Sequence, residues 1–361
     1  MKPSARHLCH TILSGNKELA PHQLFSDMAK WCLDNDVAHD TYGEGELLQA
    51  FEKEIAQLLG FESALFIVTG TMNQPTALQL ACENRASNLV AMHSTSHILQ
   101  HEAQGFQLQK RFNVIPIGHQ YSPWTLNDLK ASPEEFAAAL YELPMREIGG
   151  QLPQWQELQD IKHYCQQKCI HFHMDGARLW ECAAYYQQPY HEIAKGFDSV
   201  YVSLYKGIGG LGGSMLVGSK SFIDRARIWV RRQGGDVYHR TPYIVSAKMA
   251  FDERLAQMPK LFERTQQIYA LIQADYPELT LNPEMPQCNM LHLYLPFSVQ
   301  QTEALCDALA REQGVWFGNP QPTALSAQSK VEWYVGETLL TMSDQQLRSI
   351  LDWLMENASL K

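Results

Sequence analysis

No stretch of this chain reaches the roughly eighteen consecutive apolar residues that a membrane span needs. The opening MKPSARHLCHTILSG has no apolar core leading to a small-residue cleavage site, so secretion is not expected. A GxxxxGK[ST] phosphate loop is missing, and no GxGxxG opens the first strand–helix unit, which argues against nucleotide and dinucleotide folds. Cysteine is sparse and unframed: Cys9, Cys32, Cys82, Cys165, Cys169, Cys182, Cys288 and Cys306 read as reduced thiols of a cytoplasmic protein. Cys165 and Cys169 stand close to His171 and His173 but lack the intervening span of a zinc site, so no metal is expected. A formal net charge of -10 argues against nucleic acid or an anionic membrane as partner. Internal repeats and low-complexity segments are absent as well.

What remains is a chain of 361 residues, 45% hydrophobic, enough for one large core and a smaller one. FEKEIAQLLG (51–60) puts Phe51, Ile55, Leu58 and Leu59 on one helical face and closes on Gly60. SALFIVTG (63–70) reads as a buried strand, followed by a loop and a helix over Thr76–Cys82. Further strands are expected at 88–93, 112–118, 169–175, 198–204 and 213–218, with helices at 155–167 and 222–233. This alternation predicts an α/β fold, a mostly parallel sheet covered on both faces. Past residue 250 the texture changes: a long helix at 260–276, a strand at 289–297 and helices at 303–314 and 344–358 predict a smaller α+β domain. The expected division is an N-terminal segment 1–40, a large domain 41–255 and a small domain 256–361.

Ligands of open α/β sheets bind beyond the carboxyl ends of the strands, and three strand ends carry chemistry. Gly70 and Thr71 offer backbone N–H groups and a hydroxyl ahead of a helix, which is either an ordinary turn or an anion cup. Asp175 ends a strand with Arg178 three residues on. The pair is either a structural ion pair or a carboxylate for a cationic ring nitrogen, with an arginine for a substrate carboxylate. Lys206, in YKGIGGLGG, is either solvated or a covalent anchor whose amine is activated by burial and neighbouring cations. His93, His97 and His101 recur every fourth residue, but His93 ends a strand, which breaks the stripe. His97 is then a polar-face histidine or a plate stacked on a cofactor.

YGEGE (42–46), VTGTMNQ (68–74), SHILQHE (96–102), HMDGARLWECA (173–183) and YKGIGGLGGSMLVG (205–218) together resemble the L-threonine aldolases and related β-eliminating lyases. These are pyridoxal-phosphate enzymes of the aspartate-aminotransferase fold type, and the resemblance covers roughly residues 40–250. It implies pyridoxal 5'-phosphate as cofactor, with Gly70 and Thr71 on its phosphate, His97 stacked on its ring and Asp175 on the ring nitrogen. Lys206 would be its covalent anchor, and Arg178 would bind the carboxylate of an amino-acid substrate. A homodimer or homotetramer is implied too. The expected reaction is Cα–Cβ cleavage of a β-hydroxy-α-amino acid to glycine and an aldehyde. The alternatives are β-elimination or transamination of another amino acid, or a weakly active cofactor-binding protein.

Three positions depart from the family. In YELPMREIGG (141–150), Met145 stands where the family has a histidine that helps position the substrate hydroxyl. Glu332, in SKVEWYVGET (329–338), stands where a second carboxylate-binding arginine is sought, with Lys330 as a substitute. Tyr205 replaces the serine before the anchor lysine. Arg146, beside Met145, is expected to bind substrate through a second carboxylate or a different leaving group.

Overall fold

The computed structural model describes residues 5–83 and 85–358, apart from the side chain of Gln109. The first four residues of the expected N-terminal segment and the last three of the expected small domain lie outside the described residues. The chain forms two compact units. The larger takes Leu19–Glu147 and Gln151–Ala256; the other takes the described residues up to Glu18, Ile148–Gly150 and those from Gln257 onward.

The larger unit is built on a seven-stranded sheet. Its strands are β1 (Ser63–Ile67), β2 (Leu89–His93), β3 (Asn113–Ile117), β4 (Ala138–Glu142), β5 (His171–Gly176), β6 (Ser199–Ser203) and β7 (Ser214–Gly218). They lie in the order β1-β7-β6-β5-β4-β2-β3, and only β7 runs antiparallel to its neighbours. Every residue of β4, β6 and β7 is buried, as expected of strands sandwiched between helices. Helix α1 (Glu46–Leu59) buries Leu48, Phe51, Ile55 and Leu59 and stops at Gly60, whose φ of +75° suits glycine. Phe51 meets Phe251 edge-on at 5.2 Å, and Phe251 meets Trp180 at 5.4 Å, so this stripe joins an aromatic core.

Helix α2 (Gly70–Cys82) begins six residues earlier than its sequence pattern indicates. Thr69 caps it, its hydroxyl accepting from Met72 N, and the helix continues past Pro75. Gly70 and Thr71 therefore form its first turn rather than a loop ahead of it. The helix expected at 260–276 is likewise part of a longer one, Thr241–Asp275, which runs through Pro259.

The smaller unit holds a four-stranded antiparallel sheet of β8 (Thr280–Asn282), β9 (Met290–Leu295), β10 (Gln321–Pro322) and β11 (Ser329–Tyr334), ordered β10-β11-β9-β8. The expected N-terminal segment 1–40 does not stand as one piece. Thr11–Ile12 pairs in parallel with Val315–Trp316, and Leu13 is fully buried in the cluster that holds Phe317 and Trp333. Apolar burial thus draws the described residues up to Glu18 into this unit.

His171 and His173, weighed above against zinc, point along one face of β5 to the same neighbour. His171 Nε2 lies 2.8 Å and His173 Nδ1 2.7 Å from Ser199 Oγ on β6. The second ring nitrogen of His173 is buried without a hydrogen-bond partner, and burial pushes its pKa down to about 3. Unfolding returns it to about 6.5, so the unfolded chain binds the extra proton and stability falls as pH drops from 6.5 toward 3. For this one group the loss is roughly 2 kcal/mol at pH 5. Urea unfolding of wild type and His173→Gln at pH 7.5 and pH 5 will show their stability difference shrinking by that order at the lower pH. Parallel pH dependence would rule out this origin of acid sensitivity.

Candidate active site

The carboxyl ends of β4, β5 and β6 gather the polar groups. Asp175, the penultimate residue of β5, lies in register between Glu142 on β4 and Tyr201 on β6. It is 1% exposed and is held at both oxygens. Gln74 Nε2 on α2 donates to Oδ2 at 2.8 Å, and the Ala177 amide donates to Oδ1 at 3.1 Å. A carboxylate oxygen accepts more than one hydrogen bond, so a further donor can join.

Glu142 is buried beside it. Its Oε1 accepts from the Arg146 amide at 3.0 Å and its Oε2 from the His97 amide at 3.4 Å. Burial first, then the charge of Asp175, pushes its carboxyl up to about 7 against the pull of Arg146, His97 and Lys206. One carboxylate therefore ties down the backbone at two candidate site residues. His97 opens a single helical turn, His97–Gln100, and its Nδ1 lies 3.2 Å from Glu102 Oε1. Glu102 Oε2 is buried without a hydrogen-bond partner.

Lys206 follows β6 and is half-buried. Burial and then Arg178 push its amine down to about 8, with Arg146 adding to this and Asp175 and Glu142 opposing it. The structure thus brings Asp175, Arg178 and Arg146 within electrostatic reach of Lys206. Arg178, in the turn after β5, carries a buried Nε without a hydrogen-bond partner. The exposed ring of Tyr205 lies 5.8 Å from Lys206 Nζ.

Gly70 and Thr71 present the N-terminal turn of α2, where unpaired amides and the helix dipole favour an anion. A Cβ on Gly70 would overlap the Tyr201 hydroxyl and lie 3.0 Å from its ring carbon Cζ, so only glycine fits. Tyr201 is hydrogen-bonded to Tyr205, and burial with the nearby Asp175 charge raises its pKa well above the ordinary value.

Sequence reasoning passed over three contributors. Gln74 lies within the quoted VTGTMNQ, yet its contact with Asp175 follows only from the early start of α2. Tyr201 sits in a run that reads simply as strand, and Glu142 in the family-like YELPMREIGG (141–150), where no strand is expected, yet it closes β4. Their in-register placement beside Asp175 is the only signal that singles them out, and it is a property of strand pairing. In the smaller unit, Glu332 lies with its Oε2 3.5 Å from His292 Nε2, and Lys330 Nζ lies 3.5 Å from His292 Nδ1.

Gly70→Ala will destabilise the protein by about 1–3 kcal/mol through this overlap. Adding Tyr201→Phe, which removes the overlapping oxygen but keeps the ring, will recover part of that loss. Thermal melts of the two single variants and the double variant test the contact; strict additivity would remove it from consideration.

Comparisons with known proteins match most of the chain. A Listeria monocytogenes structure provisionally described as an L-allo-threonine aldolase shares 34% identity and a TM-score of 0.92, over 98% of this chain and 97% of that one. An Exiguobacterium structure provisionally described as an aromatic amino acid beta-eliminating lyase/threonine aldolase shares 33% identity and a TM-score of 0.90, over 98% of both chains. The low specificity L-threonine aldolase of Saccharomyces cerevisiae is 27% identical over 219 residues, 59% of this chain and 56% of that protein. The chain thus spans little more than half the length of this curated relative. The beta-eliminating lyase family matches residues 25–293. With these alignments and the parallel-sheet architecture, the chain belongs to the beta-eliminating lyase/L-threonine aldolase family of fold type I enzymes, a membership that implies pyridoxal phosphate as cofactor.

Proposed function

We propose that this protein is a pyridoxal-phosphate-dependent lyase that cleaves the Cα–Cβ bond of a β-hydroxy-α-amino acid, yielding glycine and an aldehyde. The observation that carries the proposal is Lys206, an amine brought down to about 8 beside Asp175, Glu142 and Arg178 at the strand ends. Names of relatives that include threonine aldolase support the same reaction class.

The residues present fit the cofactor. Asp175 has acceptor capacity for a ring N–H, the first turn of α2 suits a phosphate, and the orphan Nε of Arg178 suits a carboxylate. His97 would lie against the ring, and Lys206 would link covalently to the aldehyde carbon. When bound, pyridoxal phosphate supplies an electron sink for the pair released as a bond to Cα breaks.

The chain's own groups do the rest. Asp175 would keep the ring nitrogen protonated, and its two hydrogen bonds hold the carboxylate at that position. Arg178 would fix the α-carboxylate and so orient the bonds of Cα. Glu102, against Nδ1 of His97, leaves Nε2 as the nitrogen able to accept the β-hydroxyl proton, directly or through a water. Loss of that proton forms the aldehyde carbonyl as the Cα–Cβ bond breaks. Lys206 would return a proton to Cα, a step for which a pKa near 8 suits it.

β-Elimination or transamination is the second reading. Met145 favours it: it is 1% exposed and offers no polar group where the family places a hydroxyl-positioning histidine. Purified protein incubated with L-threonine and L-allo-threonine separates the readings by product. Glycine with acetaldehyde supports cleavage; ammonia with a keto acid moves the assignment to elimination.

Lys206→Ala will lose both the visible absorption of the lysine-linked cofactor and product formation. In wild type, the rate at which cofactor-free protein captures added pyridoxal phosphate will rise with pH to a half-maximum near 8, since only the free amine attacks. Arg178→Ala removes a cation that disfavours protonated Lys206, so the half-maximum will move to higher pH. A midpoint near that of an ordinary lysine in wild type would contradict the electrostatic account.

A further inference from the structure

The helix Lys220–Arg232 buries Phe222, Ile223, Ala226 and Val230 and turns a basic face outward. Arg225, Trp229 and Arg232 are spaced by four and three residues, which puts them on one stripe of it. Trp229 is fixed at its edge, where Nε1 donates to Glu83 Oε1 at 2.8 Å. Glu83, which ends α2, is fixed in turn. Arg225 Nη2 donates to its Oε2 at 2.6 Å and to Leu80 O at 3.1 Å.

Two guanidiniums rest on that ring. Arg111, just ahead of β3, places its Cζ 4.4 Å from the ring centre, and Arg232 places its own at 4.8 Å. Both are cation–π distances, and indole is the strongest aromatic partner for a cation. Arg111 is half-buried and donates to the side-chain oxygen of Gln79. None of its nitrogens is buried without a partner, so the donors that Gln79 does not take reach solvent. Arg232 is exposed. Neither guanidinium bonds a carboxylate among the described residues, and Glu83 is already held by Trp229 and Arg225. Three guanidiniums thus share one carboxylate, on a chain whose net charge is -10. Like charges gathered in this way repel each other, and an anion between them relieves the repulsion.

We propose that Arg111 and Arg232 form a binding site for a small oligophosphate, with Trp229 as the plate that holds both guanidiniums in place. Each guanidinium presents a planar fork that matches two phosphoryl oxygens, and a chain of two or more phosphates can meet both forks. Stacking on a fixed ring leaves these side chains little freedom to lose on binding. The overall negative charge repels a long polyanion such as nucleic acid. A compact anion instead responds to the field within about 10 Å, the screening length at moderate salt. The cluster lies at the last turn of α2, the opposite end from the Gly70–Thr71 turn that suits the cofactor phosphate.

Cofactor-loaded protein is titrated by calorimetry with sodium pyrophosphate and with ADP while the visible cofactor band is followed. Wild type is expected to bind pyrophosphate with a Kd below about 1 mM and with the band unchanged. Arg111→Gln and Arg232→Gln are each expected to weaken binding about tenfold, as loss of a charge-assisted contact gives. Lys220→Gln removes the same charge from the other end of the helix and is expected to leave binding within about twofold. Tighter binding of ADP than of pyrophosphate makes a nucleoside diphosphate the occupant; equal binding makes the phosphate chain alone sufficient. No pyrophosphate binding by wild type at about 10 mM overturns the proposal, whether or not the variants fold. So does equal weakening by Lys220→Gln and Arg232→Gln, which reduces the effect to net charge. Loss of the cofactor band during the titration also overturns it, because the anion is then competing for the cofactor's own phosphate turn. None of these outcomes depends on which bond the enzyme cleaves.

Discussion

A carboxylate almost wholly removed from water governs this site. Burying a charge is unfavourable unless hydrogen bonds or opposite charges compensate, and Asp175 has both. Gln74 and the Ala177 amide hold its two oxygens, and Lys206 and Arg178 supply positive charge nearby. Much else in the site follows from that charge. Its proximity adds to the burial that raises the pKa of Glu142 and of the Tyr201 phenol, and opposes the burial that depresses Lys206. Removing Asp175 would shift the proton affinity of three neighbours as well as break the contacts it makes itself.

Placement of that carboxylate depends on the fold in two ways. Parallel pairing puts Glu142, Asp175 and Tyr201 side by side, because they are register partners on neighbouring strands. Helix α2 then brings Gln74 to Asp175 only because Thr69 starts the helix at Gly70. The same first turn offers its amides to an anion. One capping residue thus serves the carboxylate, through Gln74, and the anion site, through Gly70 and Thr71.

Much of this was legible in the residues, and the unreadable parts have identifiable causes. The helix 155–167 and the terminal helix 344–358 were read to the residue, since both show clean apolar periodicity. The strand-end positions of Asp175 and Lys206 were legible from apolar runs closing on polar and glycine-rich segments. The start of α2 was not, because Pro75 resembles a helix breaker and the residues before it are polar. The length of Thr241–Asp275 was hidden in the same way by Pro259. The N-terminal residues read as a separate segment because a two-residue strand carries no periodicity of its own. Only its pairing with Val315–Trp316 reveals it. Hydrogen bonds between elements distant in sequence, such as Gln74 with Asp175 or Glu142 with His97, leave no local pattern to read.

One departure from the family, Met145, lies with Arg146 in the turn after β4. Asp175, Lys206, Arg178 and the first turn of α2 are the groups that would handle cofactor and α-carboxylate, and they form a closed set of contacts and fields. Met145 and Arg146 belong to the turn after β4, whose backbone hangs from Glu142. Neither residue takes part in the two hydrogen bonds that hold Asp175, so a substitution there leaves those bonds in place. Glu142 connects the two regions, since it holds the amides of both His97 and Arg146 and shares the field of Asp175. With a pKa near 7, its charge changes within the neutral range, so the anchoring of His97 and Arg146 changes with it. Protonation of Glu142 above the range of an ordinary carboxyl couples the surroundings of Asp175 to the turn that carries Arg146, a coupling that exists because two carboxylates were placed in register at the end of one sheet.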